Sequence, residues 1–220
     1  VLSGKALMWY RRQKYGLVLV YGKSGTGKSV YALRALKEIY QAHLGLDDPQ
    51  AWEEIKKHII FTPNEFIKYT GDLENNNKRV PAILMDDAGV WFNNQDYKDP
   101  VIVDCIRYFK VIRTKVSCVI MTTPSPNDLV KGLRSLDMYN IKVVDQDSKN
   151  GKMATCYLQS IRPTLRTYIR TYWKDYFPGM LPDDVFNQYN ERRNTYTKII
   201  HQKMVESRAR GEAKGANYGD

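Results

Sequence analysis

Apolar and polar positions change period several times along the chain, and each change marks an element. Leu17–Tyr21 (LVLVY) is a compact apolar run of the length and branching expected of a buried strand. A glycine-rich stretch follows. Tyr31, Leu33, Leu36, Ile39 and Tyr40 then recur at helical spacing, which predicts a helix over Lys28–His43, ended by the polar stretch Gly45–Gln50. Trp52–Lys57 reads as a short helix, His58–Thr62 as a second strand, and Pro63-Asn64 as the start of a helix ending near Gly71. The polar segment Asp72–Arg79 is a loop that delivers the chain to an apolar strand, Ala82–Met85.

Gly89–Pro100 reads as a loop with exposed aromatic residues. A helix is predicted over Val101–Arg113, with Ile102, Cys105, Ile106, Phe109 and Ile112 on one side. Val116–Thr123 is another apolar strand, followed by a short helix over Asp128–Leu136. Tyr139–Val144 and Met153–Ile161 flank a hydrophilic turn containing Asn150-Gly151, a hairpin pattern, and Thr164–Trp173 alternates well enough to be a third strand beside them. After a turn at Pro178–Pro182, a long helix is expected from Asp183 to about Arg210, then a small, polar tail. Lys5–Lys14 (KALMWYRRQK) interleaves aromatic and basic residues and leaves three readings open: a wall of a base pocket, a DNA contact, or a cover for the sheet edge.

Chemistry enters with the glycine-rich stretch. Gly22, Lys23, Ser24, Gly25, Thr26, Gly27, Lys28 and Ser29 have the phosphate-binding P-loop spacing, set between a strand and a helix as the motif requires. Backbone N–H groups surround a phosphate only where side-chain bulk is small and positive φ is tolerated, which the three glycines allow. The helix N-terminus, through Val30, aims its dipole at the same anion. Lys28 is the expected contact to the β and γ phosphates of ATP, and the Ser29 hydroxyl the expected ligand of Mg²⁺. The competing reading is a strand-to-helix turn that binds nothing. Asp86 and Asp87, directly after an apolar strand, have the form of Walker B: Asp86 would hold Mg²⁺ and Asp87 would polarise the attacking water, unless the pair merely caps the following turn. Thr122 and Thr123 close their strand at the position of a residue that touches the γ-phosphate.

Composition narrows the class. At 220 residues, 43% hydrophobic and 26% charged, the chain suits one good core with an appendage. No run of about 18 apolar residues is present, so no membrane span is expected, and with no secretory pattern at its start the cytoplasm is the default location. Cys105, Cys118 and Cys156 lack any paired spacing and read as packed thiols; no structural zinc is expected. The net charge is +10, and residues 1–37 carry Lys5, Arg11, Arg12, Lys14, Lys23, Lys28, Arg34 and Lys37 with no acid. Such a concentration suits a polyanion, nucleic acid before an acidic membrane. Arg11, Arg12 and Lys14 lie beside Trp9 and Tyr10, and Arg162, Arg166 and Arg170 recur at fours among tyrosines, so these six are the candidate DNA contacts; the alternative is a solvated face.

The series of P-loop, apolar strand ending in Asp86-Asp87, helix, strand ending in Thr122-Thr123-Pro124, and short helix with Arg134 resembles the additional-strand P-loop ATPases. These include AAA+ proteins such as DnaA-like initiators and the FtsK/HerA/zonula-occludens-toxin-like motors, with the small ATPases of archaeal viruses and plasmids as the nearest in flavour. The resemblance covers Leu17–Val144. It implies an α/β three-layer fold with a central, mainly parallel sheet, here with a β-hairpin extension and a long C-terminal helix. It makes Thr122 or Thr123 the sensor, and Arg134 an arginine finger reaching a neighbouring subunit, with Arg113 as the alternative. Two features depart from AAA+ proteins: the sensor position lacks asparagine, and no helical lid with a second arginine is present. The expected organisation is a core over 1–146, an extension and packed helix over 147–210, and a flexible tail over 211–220. The function so implied is an oligomeric, ring-forming Mg-ATP-dependent ATPase acting on DNA, with an ATP-dependent assembly switch as the second class and a small-molecule kinase as the third.

Overall fold

The computed structural model describes residues 1–146, 151–161 and 167–216. Strands β1 (Gly16–Tyr21), β2 (Ile59–Ile60), β3 (Ile83–Met85), β4 (Cys118–Thr123), β5 (Met138–Asp145), β6 (Gly151–Ile161) and β7 (Thr167–Pro178) form one sheet in the spatial order β2-β3-β4-β1-β5-β6-β7. The first five in that order are parallel; β6 and β7 continue the sheet antiparallel. A parallel strand is covered on both faces and must be apolar throughout. Leu17 to Val20 of β1 and Cys118 to Met121 of β4 are accordingly all buried. β4 lies between β1 and β3, so the strand that leads into the P-loop and the strand that ends in Asp86-Asp87 are separated by one added strand.

Side chains alternate across the sheet, giving two cores. On one face Leu17, Leu19, Ile83, Met85, Val119 and Met121 pack with Phe66 of α4 (Pro63–Asn75) and with Ile102, Cys105 and Phe109 of α6 (Pro100–Phe109). The other face is covered by α1 (Leu2–Arg11) and α2 (Lys28–Leu44), with α3 (Asp48–Ile55) against α2. Local signals set the boundaries. α2 ends at Gly45, which takes the left-handed conformation with φ 68°. Asp47 and Gln50 form a reciprocal capping box on α3, and the Thr62 hydroxyl accepts from the Glu65 N–H ahead of Pro63 on α4.

Several sequence expectations shift. Lys5–Lys14 lies largely within α1, whose buried residues Leu2, Ala6 and Trp9 fall on one helical face. Gly89–Pro100 is not simply loop: it holds most of a short helix, α5 (Ala88–Trp91), and a 3-10 turn at Asn94–Asp96. α6 stops at Phe109, and Arg113 falls in a separate 3-10 turn, Ile112–Thr114. Asp128–Leu136 contains only the one-turn helix α7 (Lys131–Arg134). The last strand continues past the expected end at Trp173 to Pro178, because the alternation persists through Tyr176; the expected start, Thr164, lies outside the described residues.

The sheet and its helices, Val1–Met180, make one compact unit; a second begins at Leu181 and consists mainly of α8 (Asp183–Ala216). That helix has 34 residues, about 51 Å at 1.5 Å per residue, and opens on Asp183 and Asp184, the charge its N-terminus favours. It continues past Arg210 to Ala216. Among the described residues no helix is long and apolar enough to cross a membrane.

Candidate functional site

The P-loop lies where β1 ends and α2 begins, at the carboxyl edge of the parallel strands, where open α/β sheets bind ligands. Gly22, Gly25 and Gly27 hold φ of 153°, 82° and 87°. A Cβ at Gly22 would collide with the Val143 carbonyl oxygen, so β5 can approach the loop only because position 22 is glycine. Thr26 arches the loop: its N–H and its hydroxyl donate to the Lys23 carbonyl at 3.3 and 2.9 Å. Lys23, Ser24 and Gly25 are exposed on the crest, while Val30 is half-buried in the first turn of α2. Lys28 is folded over the loop, 8% exposed, with Nζ donating to the same Lys23 carbonyl at 2.9 Å.

Facing the loop is Asp86, 1% exposed at the end of β3, its N–H donating to the Ile60 carbonyl at 3.0 Å. Its Oδ1 accepts from Ser29 Oγ at 2.9 Å and from Thr122 Oγ1 at 2.5 Å. Thr122 Oγ1 also accepts the Asp87 N–H at 2.8 Å. One hydroxyl therefore ties both consecutive acids to β4. The Ser29 hydroxyl and the Asp86 carboxylate are hard oxygen donors of the kind Mg²⁺ takes together with phosphate oxygens, so the residues present fit that ion and these two would hold it.

Asp87 has φ 50° and ψ 38°, a left-handed conformation that costs a non-glycine residue on the order of 1 kcal/mol and that aspartate tolerates better than most. It precedes α5, yet its side chain makes no capping bond to that helix, which removes the capping explanation for this acid. A strained acid beside a phosphate-binding loop is the kind of outlier that clusters at functional sites. Thr123 turns elsewhere: its Oγ1 lies 3.1 Å from the Ser125 carbonyl and 3.2 Å from Asp128 Oδ2. The structure thus brings Thr122, and not Thr123, to the Asp86 carboxylate.

The two candidate finger arginines lie away from their own P-loop. Arg134 Nη1 donates to Asn127 Oδ1 at 3.1 Å, and the residue borders a cleft of about 860 Å³ with Tyr15, Leu17 and Tyr139, beside the starts of β1 and β5. Arg113 precedes β4, at the amino end of the parallel strands.

Four of the six candidate DNA residues, Arg11, Arg12, Lys14 and Arg170, lie toward that same amino end. Arg11, Arg12 and Lys14 are exposed around the end of α1, with the Lys14 carbonyl held by Arg79 Nη2 at 3.0 Å. Arg170 is exposed early in β7, 5.9 Å from the Tyr172 ring. Arg162 and Arg166 lie outside the described residues. Of the three readings of Lys5–Lys14, a cover for the sheet is the one that Trp9 meets, over a face instead of an edge: it is 3% exposed and packed over Gly16 and Tyr139, and so offers no surface to DNA. Tyr10 is half-buried, 5.0 Å from the Arg79 guanidinium.

Sequence reasoning missed Lys152. It sits two places into β6, and its stem lies against Gly27 of the P-loop. Nothing in its spacing announces this; only the pairing of β6 on β5 carries it there.

No family model matches the chain. It is 28% identical over 216 residues to the protein B-251 of Sulfolobus spindle-shape virus 1, covering 93% of this chain and 84% of that one. It is also 28% identical over 159 residues to the protein ORF286 of Acidianus two-tailed virus, covering 70% and 52%. Among solved structures it is similar to the genome packaging NTPase B204 from Sulfolobus turreted icosahedral virus 2 in complex with AMPPCP, at TM-score 0.43 and 10% identity over 72% of this chain and 97% of that one. The N-terminal domain of zonular occludens toxin from Neisseria meningitidis gives TM-score 0.40 and 12% identity over 79% and 98%. By its sheet order, its P-loop and the acid pair that closes β3, the chain has the fold of the P-loop ATPases, and its sequence relatives are proteins of archaeal viruses.

Proposed function

We propose that the protein is a Mg²⁺-dependent ATPase that works as a homo-oligomer on DNA. The observation that carries the reading is the convergence of Ser29, Asp86 and Thr122 beside a glycine-rich loop already crossed by Lys28. Phosphoryl transfer asks a protein for positioning and charge more than for covalent chemistry, and these groups supply both. Lys28 and the amides of the loop and of the first turn of α2 bind the phosphates; Ser29 and Asp86 would hold a Mg²⁺ ion, whose charge would offset that on the phosphate oxygens. Asp87 orients and deprotonates the attacking water. Arg134 is offered to the site of a neighbouring subunit, since it does not reach its own.

The DNA assignment is supported by the +10 charge and by Arg11, Arg12, Lys14 and Arg170 at the sheet end opposite the P-loop, an arrangement that leaves nucleotide and DNA room to bind together. With all three cysteines buried and unpaired, the cytoplasm is the compartment we assign. The test is ATP hydrolysis by the pure protein with and without single- and double-stranded DNA, run beside sizing with ATP. DNA-stimulated turnover in an ATP-dependent assembly is the expected result. Asp87 is one methylene shorter than the glutamate usual at that position, which favours a second reading: near-zero turnover at saturating DNA, with ATP-dependent assembly intact, would select a switch.

A further inference from the structure

The P-loop is touched by a second lysine of the same chain. Lys152 pairs across the sheet with Asp145 of β5 and with Phe177 of β7, and Phe177 packs on Tyr31 of α2 at 5.0 Å between ring centroids. Its stem is held between two glycines: a Cβ at Gly27 would lie 3.4 Å from its Cδ and Cε, and a Cβ at Gly179 would lie 2.6 Å from its Cε. Its Nζ donates to the Gly25 carbonyl at 3.4 Å and is ion-paired with Asp145 Oδ1. Lys28 holds the Lys23 carbonyl from the helix side while Lys152 holds the Gly25 carbonyl from the sheet side, so two ammonium groups bracket the crest of one loop.

We propose that Lys152 is a second phosphate-binding cation of this site, delivered within the subunit and held ready by Asp145, and that a nucleoside triphosphate takes Asp145's place on it. The inference rests on the reading of the P-loop as a nucleotide site. A lysine ammonium is a compact charge with three donors on a flexible stem, so it can pass from a carboxylate to a phosphate oxygen by rotation alone. Its present partner is easily left: Asp145 is 59% exposed against 18% for Lys152, and a pair open to water on one side contributes little. A triphosphate at the loop both attracts Lys152 and repels the Asp145 carboxylate, so the exchange is driven from both sides. Because the cation comes from the same chain, it acts in a single subunit, unlike an arginine offered by a neighbour.

The experiment is titration of a fluorescent ATP analogue, with ADP in parallel, into the dilute full-length protein and its Lys152→Ala, Lys152→Arg, Asp145→Asn and Lys28→Ala variants, with melting temperatures recorded alongside. Loss of one charge-assisted contact should weaken triphosphate binding about tenfold in Lys152→Ala, with ADP affected less and Lys152→Arg restoring most of it. Asp145→Asn removes the competing anion and should tighten binding, about threefold if the exposed pair contributes roughly 0.7 kcal/mol. The opposite signs are the signature, and Asp145→Asn carries the test alone if Lys152→Ala does not fold. If the pair only braces the hairpin, both variants lower the melting temperature and shift affinity in one direction or not at all, and either result overturns the proposal. If Lys152→Ala binds as the parent does while Lys28→Ala does not, this inference fails and the nucleotide site stands. If the parent protein binds no nucleotide, the site itself fails.

Discussion

Ser29 and Asp86, 57 positions apart in the sequence, meet at 2.9 Å. Their strands are not neighbours: β4 separates β1 from β3, so the contact is made above the sheet by a hydroxyl in the first turn of α2 reaching a carboxylate at the end of β3. The added strand supplies Thr122 to that carboxylate, and the same hydroxyl receives the N–H of Asp87. Asp86 and Asp87, the acids proposed to hold the metal and to orient the water, are thereby linked through one side chain.

Thr122→Val keeps the shape and removes the hydroxyl. It should cost about 1–3 kcal/mol in urea unfolding, because the Asp87 N–H and the buried Asp86 each lose a partner. Turnover should fall further than nucleotide affinity, and Thr122→Ser should recover both. Equal stability and equal turnover in the valine variant would mean that the bridge has no part in the site.

Asp87→Asn should bind ATP as the parent does and hydrolyse none at a measurable rate, since an amide keeps the shape but accepts no proton. Asparagine also tolerates φ near 50°, so the fold should survive unchanged. Single-turnover hydrolysis separates this from slow product release; normal turnover would place the base elsewhere.

Much of this site was legible because its signals are local. Gly22 to Ser29 carry their spacing on their face, and Asp86-Asp87 follow an apolar run that had to be a central strand. What was not legible depends on long-range pairing. Lys152 reaches the P-loop only through the β5 and β6 register, and the choice between Thr122 and Thr123 follows from the alternation of β4, whose end the sequence fixes poorly when both residues are threonine. α1 is obscured by Met8 and Tyr10 beside its three buried positions, and the readings of Lys5–Lys14 stay open in the sequence because aromatic and basic residues side by side look alike in a helix that seals a core and in one that faces DNA.

His58 makes stability depend on pH. It is stacked on Tyr40, contacts the Tyr69 hydroxyl, and burial lowers its pKa from 6.5 to about 4. Between those values the unfolded chain binds the proton and the folded chain does not, so stability is full above pH 6.5 and falls as pH drops toward 4. His58→Phe keeps a ring on Tyr40 and should remove up to about 3 kcal/mol of that pH dependence. Urea titrations of both proteins at several pH values across this range read the difference; parallel losses would show that the histidine is not the group responsible.

DNA binding should be dominated by phosphate contacts. Four such contacts, by Arg11, Arg12, Lys14 and Arg170, give a slope near −3.6 in log affinity against log salt, from about 0.9 per phosphate on duplex DNA. Reversing Arg11 and Arg12 to glutamate should flatten the slope by about 2 units without changing ATP binding. An unchanged slope would move the interface elsewhere.

Whether the P-loop holds ATP through Lys28 is read by calorimetric titration of ATP with Mg²⁺ into the parent protein and Lys28→Ala. Saturable binding at one site per chain is expected for the parent, weakened at least tenfold, about 1.4 kcal/mol, by loss of the ammonium group. Affinity in Lys28→Ala within about threefold of the parent, a difference below roughly 0.7 kcal/mol, would mean that Lys28 does not hold the phosphates and that this loop is not the ATP site.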